Sequence, residues 1–175
     1  MMAKILTAFF SMTGETYANG HIIDLEKGYT QIAAEYIHEI VGGDLFHIEQ
    51  IREYSSDHMK MINEAKEEIE NTERPSLKAC PESLSAYDTI ILAYPNWWNT
   101  LPMPVVTFLT TYNFSGKTII PFNTSGGGGF GRSIDAIRTY ASGAVVKGGM
   151  TVPGTQVESS KAKIQQWAQE QMELF

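Results

Sequence analysis

Apolar residues fall along this chain in two alternating patterns. Short, nearly continuous apolar runs occupy residues 5–10, 45–48, 89–94, 118–122 and, more weakly, 144–152. Runs without polar alternation suit strands whose two faces are both covered by helices, as in a parallel sheet. Lys147, Gly148 and Gly149 interrupt the fifth run and make it the weakest of the set. Between the runs lie stretches of helical period. Ile32, Tyr36, Ile37, Ile40 and Val41 share one face, and Gly42 with Gly43 supplies a stop. Residues 57–71 form a charged segment with Ile62, Ala65 and Ile69 as a thin apolar stripe, closed by Pro75. Pro102 and Pro104 stand where a first helical turn tolerates proline, ahead of Val105, Phe108, Leu109 and Tyr112. Ile134, Ile137 and Ala141 mark a fourth helix, and Ile164, Trp167, Ala168 and Phe175 a fifth. This βαβαβαβαβα order predicts an open, doubly wound α/β sheet in one domain spanning residues 1–175.

Composition narrows the classes of partner. Thirteen basic against twenty acidic residues give a net charge of −7. That balance repels nucleic-acid phosphates and anionic membranes and favours partners with basic faces. Cys80 is the single cysteine, so no intrachain disulfide or paired-cysteine centre can form. The run ILTAFF near the N-terminus is shorter than a usual signal core and lacks a small-residue cleavage site, which makes the expected location cytoplasmic. His21, His38, His47 and His58 lack metal-ligand spacing, so no metal site is expected.

In a doubly wound sheet, ligands sit beyond the carboxyl ends of the strands. The segments after strands one, three and four read SMTGET, PNWWNTLP and NTSGGGGFG. The last of these matches G-x-G-x-x-G through Gly126, Gly128 and Gly131, and misses the P-loop pattern only in having Arg132 for lysine. Arginine is a poor substitute for the compact lysine charge of a P-loop. The dinucleotide pattern wants a first-strand position and an acid at the end of the next strand, which residues 145–151 do not offer. What remains is a loop whose backbone approaches a flat ligand, or a plain flexible connector.

The other two loops supply what such a ligand needs. Ser11, Thr13 and Thr16 offer hydroxyls directly after strand one, and Gly14 allows a tight turn. Backbone N–H groups at a helix start complete a phosphate site without a basic residue, although S-x-T-G also suits an ordinary helix cap. Trp97 and Trp98 lie just past the third strand, where an indole can cover an aromatic ring or plug against the following helix.

These motifs together resemble the flavodoxins, whose ligand is flavin mononucleotide (FMN). The resemblance is closest to a bacterial subfamily reading roughly Y-F-S-x-T-G, G-x-T-x-x-A, Y-P-x-W-W-G-x-x-P and F-x-T-x-G-G-x-G-F-G. Here these are Phe9 to Gly14, Gly28 to Ala33, Tyr94 to Pro102 and Phe122 to Gly131. The resemblance implies a five-stranded parallel sheet of order 2-1-3-4-5; that order is the family's and does not come from the pattern of this chain. It implies an FMN site built from Ser11, Thr13, Gly14, Gly28, Tyr29, Thr30, Pro95, Asn96, Trp97, Trp98, Asn99, Thr124, Ser125, Gly126, Gly127, Phe130 and Gly131. It also implies electron transfer between redox partner proteins by a monomer or weak dimer, with no residue acting as nucleophile or base. The acidic surface is then expected to lower the second reduction potential. The alternative is an FMN-dependent NAD(P)H:quinone or nitro-compound reductase.

Two departures from the family stand out. Residues 15–27 separate the phosphate loop from its helix, which predicts a site split between Ser11, Thr13 and Gly14 and the later Gly28, Tyr29 and Thr30. The insertion is then expected to loop out over the surface, leaving Thr16 dispensable. Asn99 stands where many relatives have glycine, in a loop whose peptide turns over on flavin reduction in better-known flavodoxins. Asn tolerates left-handed backbone better than most residues.

Overall fold

The computed structural model describes residues 4–173; Phe175, assigned above to the last helix, lies outside them. The main sheet contains β1 (Ile5–Phe9), β4 (Asp44–His47), β5 (Thr89–Pro95), β6 (Thr118–Ser125), β7 (Val145–Val146) and β8 (Met150–Pro153). Every pairing in it is parallel, in the order β4-β1-β5-β6, with β7 and β8 both on the outer edge of β6. Counting the split edge as one strand, this is the 2-1-3-4-5 order that the family resemblance implied.

The five helices fall on both faces. Phe9, Ile91, Ala93, Ile120 and Phe122 pack on Ala33, Ala34 and Ile37 of α1 (Tyr29–Val41) and on Ile164 and Ala168 of α5 (Lys161–Glu173). Leu6, Ala8, Phe10, Ile90, Leu92 and Tyr94 point the other way. They meet Val105, Phe108 and Leu109 of α3 (Met103–Thr111) and Ile137 of α4 (Ser133–Tyr140). Ile69 of α2 (His58–Glu70) adds to this second layer. The strands are buried on both sides because alternate residues serve different layers, which is why their sequence shows no alternation.

The fifth strand breaks for a local reason. Ile119 pairs with Val146 and Phe122 with Met150, so three steps along β6 are matched by four along the edge. The extra residue is a bulge opposite Pro121, whose missing N–H makes it a poor ladder partner. Gly149 passes so close to this strand that a Cβ there would fall on the Pro121 carbonyl oxygen.

The insertion is ordered. It folds into an antiparallel hairpin of β2 (Gly14–Ala18) and β3 (His21–Leu25), which joins no strand of the main sheet. Asn19 and Gly20 form its turn with φ of 50° and 86°, and two adjacent left-handed residues are what a tight two-residue hairpin requires. Asn-Gly is a strong local hairpin signal, and the insertion is a hairpin and not the loop expected over the surface. The hairpin is fastened to the body through Glu15: its N–H donates to Ser56 O (3.1 Å), and its carboxylate accepts from the His58 N–H (3.0 Å) at the start of α2.

Gly149→Ala is expected to destabilise the fold by about 1–3 kcal/mol, since the new methyl must displace the β6 backbone. Gly148→Ala, whose Cβ would meet nothing within 4 Å, is expected to stay within about 0.5 kcal/mol. Urea unfolding of the two variants measures both; equal losses would contradict the bulge packing.

Candidate functional site

The Ser11–Gly14 loop lines a cleft of about 330 Å³ beside His47 and Ile48, and the loops leaving β1, β5 and β6, whose carboxyl ends lie side by side, line a smaller open one of about 80 Å³. The smaller is far below the roughly 300–1,000 Å³ of pockets that enclose a whole drug-sized ligand. It suits one small group, with the rest of a larger molecule lying along the rim.

The inner wall is the meeting of β1 with the start of α1. Gly28 is the N-cap of α1 and carries no side chain to cap it. A Cβ at Gly28 would fall on Ser11 Oγ and Met12 O, so glycine is what lets the helix begin against the strand end. Ser11 Oγ accepts from the Gln31 N–H (3.1 Å), serving one of the donors that a helix start leaves open. The preceding N–H groups, of Tyr29 and Thr30, lie in the turn that opens on the cavity and carry the positive end of the helix dipole. Thr30 is the second helical residue, and its hydroxyl shares a 2.8 Å hydrogen bond with Thr124 Oγ1 at the end of β6. Both threonines are almost wholly buried, at 2% and 4% exposure. The two halves of the split site are thus in contact: Ser11, Thr13, Gly14, Tyr29 and Thr30 all line the cavity, with Gly28 packed behind them. No lysine or arginine lines it.

The insertion contributes more than expected. Thr16 of β2, Leu25 of β3 and Met61 of α2 line the same cavity, so the hairpin is one of its walls. No motif or spacing marks Met61 for this place, because only tertiary packing brings α2 across the opening.

Pro95, Trp97 and Thr124 complete the lining. Trp97 packs edge-on against Phe10 and Tyr54, each ring centroid 5.1 Å away. Burial raises the Tyr54 phenol far above its usual range, and its hydroxyl donates to Glu68 (2.9 Å), which raises it further. Trp98 behaves differently. It is 45% exposed, its Nε1 donates to the Ile62 carbonyl of α2 (2.7 Å), and the Lys66 ammonium lies 5.4 Å from its ring centre. Of the two indoles, Trp97 faces the cavity and Trp98 leans on α2.

Between them runs a tight turn. Trp97 and Thr100 exchange both backbone hydrogen bonds, with Trp98 and Asn99 at φ of 50° and 69°. Asn99 adopts left-handed backbone as its residue type allows. Trp98 in that region is an outlier for a bulky side chain, held by its own hydrogen bond to α2. The Asn99 carbonyl accepts from the Arg132 N–H (2.7 Å), which clasps this turn to the glycine loop.

That loop has two kinds of glycine. A Cβ at Gly131 would run into Asn99, and one at Gly128 would come within 2.9 Å of Asn96 Nδ2. Gly126 and Gly127 face open space, where a Cβ would meet nothing within 4 Å. At Gly127 the backbone, with φ of 139°, requires glycine in any case, whereas at Gly126 neither packing nor backbone does. Ser125 Oγ accepts from the Gly127 and Gly129 N–H groups (3.3 and 3.2 Å) and shapes the loop. The buried Asn123 carboxamide lies 2.9 Å from Thr151 Oγ1 and, with its nitrogen toward the Gly129 carbonyl (2.8 Å), anchors it below. Phe130 packs its ring over Gly149. Asn96, whose N–H donates to Thr124 O (2.8 Å), keeps a buried Oδ1 without a hydrogen-bond partner.

The sequence model of the flavodoxins matches residues 4–171. Among solved structures, a protein from Bacteroides uniformis assigned as a flavoprotein is 29% identical, with a TM-score of 0.74, 95% of this chain and 98% of that one being covered. A second, from Bacteroides eggerthii and with the same assignment, is 29% identical, with a TM-score of 0.71 and 93% and 98% covered. A Lactobacillus acidophilus flavoprotein in complex with FMN is 20% identical, with a TM-score of 0.63 and 90% and 97% covered. No curated protein sequence matches the chain significantly. With the family match running from β1 through nearly all of α5, the chain belongs to the flavodoxin family.

Proposed function

We propose that this protein binds FMN noncovalently and carries electrons between partner proteins. The observation that carries the reading is the convergence in one small cavity of the Ser11–Gly14 loop, the open N–H groups of α1 and the Trp97 indole. A terminal phosphate needs several convergent donors, and a helix start supplies them without a cation. The residues fit the cofactor on further grounds. The unpartnered Asn96 Oδ1 is an acceptor for a ring N–H. The open faces of Gly126 and Gly127 leave room for a flat ring beside the backbone. The FMN complex of the Lactobacillus acidophilus relative supports the same cofactor.

In this reading Ser11, Thr13, Gly14, Gly28, Tyr29 and Thr30 hold the phosphate end. Thr124, Ser125, Gly126, Gly127, Phe130 and Gly131 wall one side of the ring. Pro95, Asn96, Trp97 and Asn99 wall the other, with the Trp98 indole set back against α2. The flavin supplies the one- and two-electron chemistry, and the protein orients it, excludes water and sets its potential. The turn from Trp97 to Thr100 holds its strained backbone through bonds at its rim, the Trp98 link to Ile62 and the Asn99 link to Arg132. Acidic side chains outnumber basic ones by seven, so partners with basic faces are favoured and their association should slow as salt rises.

Two measurements test this reading. The purified protein should show a flavin visible spectrum, release FMN on denaturation and oxidise NAD(P)H hardly at all without a separate reductase. Rapid NAD(P)H oxidation by the protein alone would make it a reductase instead. Trp97→Ala should weaken FMN binding by about 1–3 kcal/mol, taking aromatic–base stacking as the scale, while Trp98→Ala should cost clearly less. Fluorescence titration of the apoproteins compares them, and a larger loss from Trp98→Ala would reverse the assignment of the two indoles.

A further inference from the structure

The β2–β3 hairpin separates two halves of a site that would otherwise be continuous in sequence. Removing residues 15–27 would leave Thr13-Gly14 followed directly by Gly28-Tyr29-Thr30. The chain ends on either side of it are already close: Gly14 is the ladder partner of Leu25, and Gly28 lies against Ser11 and Met12. The hairpin is not needed to connect β1 to α1.

Nor does it serve the core. Of its ten strand residues only Ala18 is buried, while Tyr17 and Ile22 are largely exposed. An isolated two-stranded hairpin is marginally stable in water. Yet this one is pinned by Glu15 to Ser56 and to the first N–H of α2, and it turns Thr16 and Leu25 toward the cavity beside Met61. Glu15 itself lines the cavity, and the α2 N–H that its carboxylate accepts from offsets part of its charge. The arrangement is that of a wall.

We propose that the hairpin, through Thr16 and Leu25 and with Met61 behind them, is a specificity element of the cofactor site. It closes the phosphate end, so a flavin ending in a monophosphate fits and one continuing into a second phosphate and an adenosine does not. It also buries the bound monophosphate end and slows its escape. This rests on the FMN reading above and adds a determinant that the phosphate loop alone does not supply. The physical basis is steric and apolar. Leu25 and Met61 line the cavity on its hairpin and α2 side, so a tail leaving that way would meet side chains that cannot satisfy a second phosphate. A site built to exclude a competitor discriminates by clash as well as by attraction.

The test compares FMN and FAD binding to three apoproteins: the unaltered chain, the Thr16→Ala/Leu25→Ala double variant, and a chain lacking residues 15–27, which keeps Gly28. Flavin fluorescence gives equilibrium affinities, and stopped-flow displacement gives dissociation rates. The unaltered chain should prefer FMN over FAD by about a hundredfold or more. The double variant should release FMN about tenfold faster and lose about tenfold of that preference, each tenfold being the size of one modest lost contact. The shortened chain should lose most of the preference. If the unaltered chain prefers FMN and the double variant, folded by circular dichroism, keeps both its FMN release rate and its preference, the hairpin is not a specificity element and the FMN reading still stands. If the unaltered chain binds neither flavin, the FMN reading and this inference fall together.

Discussion

Everything at the candidate site depends on α1 beginning against the end of β1 rather than beyond it. Gly28 makes that possible, because any side chain there would occupy the positions of Ser11 Oγ and the Met12 carbonyl. With the helix seated so closely, one strand-end hydroxyl reaches its Gln31 N–H, and Thr30 reaches across to Thr124 on β6. Three elements far apart in sequence are thereby locked at one point, and the positive end of a 13-residue helix is brought to it. A protein of net charge −7 can offer an anion site in this way without placing a cation in it.

The second layer of control is the clasp between the β5–α3 turn and the glycine loop. A run of four glycines with Gly131 close behind suggests flexibility, but the glycines of this loop are divided by function. Gly128 is shaped by the approach of Asn96 and Gly131 by that of Asn99, while Gly126 and Gly127 present bare backbone to open space. Ser125 and Asn123 hold the loop from below. The strained turn at Trp98 and Asn99 is tethered on one side to α2 and on the other to Arg132. Strain of this kind persists only where surrounding contacts over-determine it, and it concentrates at functional loops.

Much of this was legible in the sequence, and for physical reasons. Continuous apolar runs identified the doubly covered strands, and Asp57 and Asn71 bounded α2 as its N-cap and C-cap. The strand-end position of the three unusual loops brought their residues together, because a parallel sheet gathers its carboxyl ends on one edge. Less was legible where long-range packing decides. The two adjacent tryptophans look equivalent in sequence, yet one joins Phe10 and Tyr54 while the other bonds Ile62. Thr30 sits inside the first turn of α1, and its bond to Thr124 on β6 joins residues far apart in the chain. The role of Met61 needed the path of α2 across the opening. The Asn19-Gly20 turn is a local hairpin signal, which makes residues 15–27 a structural unit of their own and not an interruption.

The central claim is that a terminal phosphate is held where the Ser11–Gly14 loop meets the start of α1. Its most direct measurement is the affinity of the apoprotein for FMN against riboflavin, which differ only in that group, repeated with Thr30→Val. The account predicts that FMN binds at least about a hundredfold more tightly, on the order of two or more charge-assisted hydrogen bonds. It also predicts that Thr30→Val narrows this gap while leaving riboflavin binding nearly unchanged. Equal affinity for the two flavins, or a gap indifferent to Thr30, would contradict it.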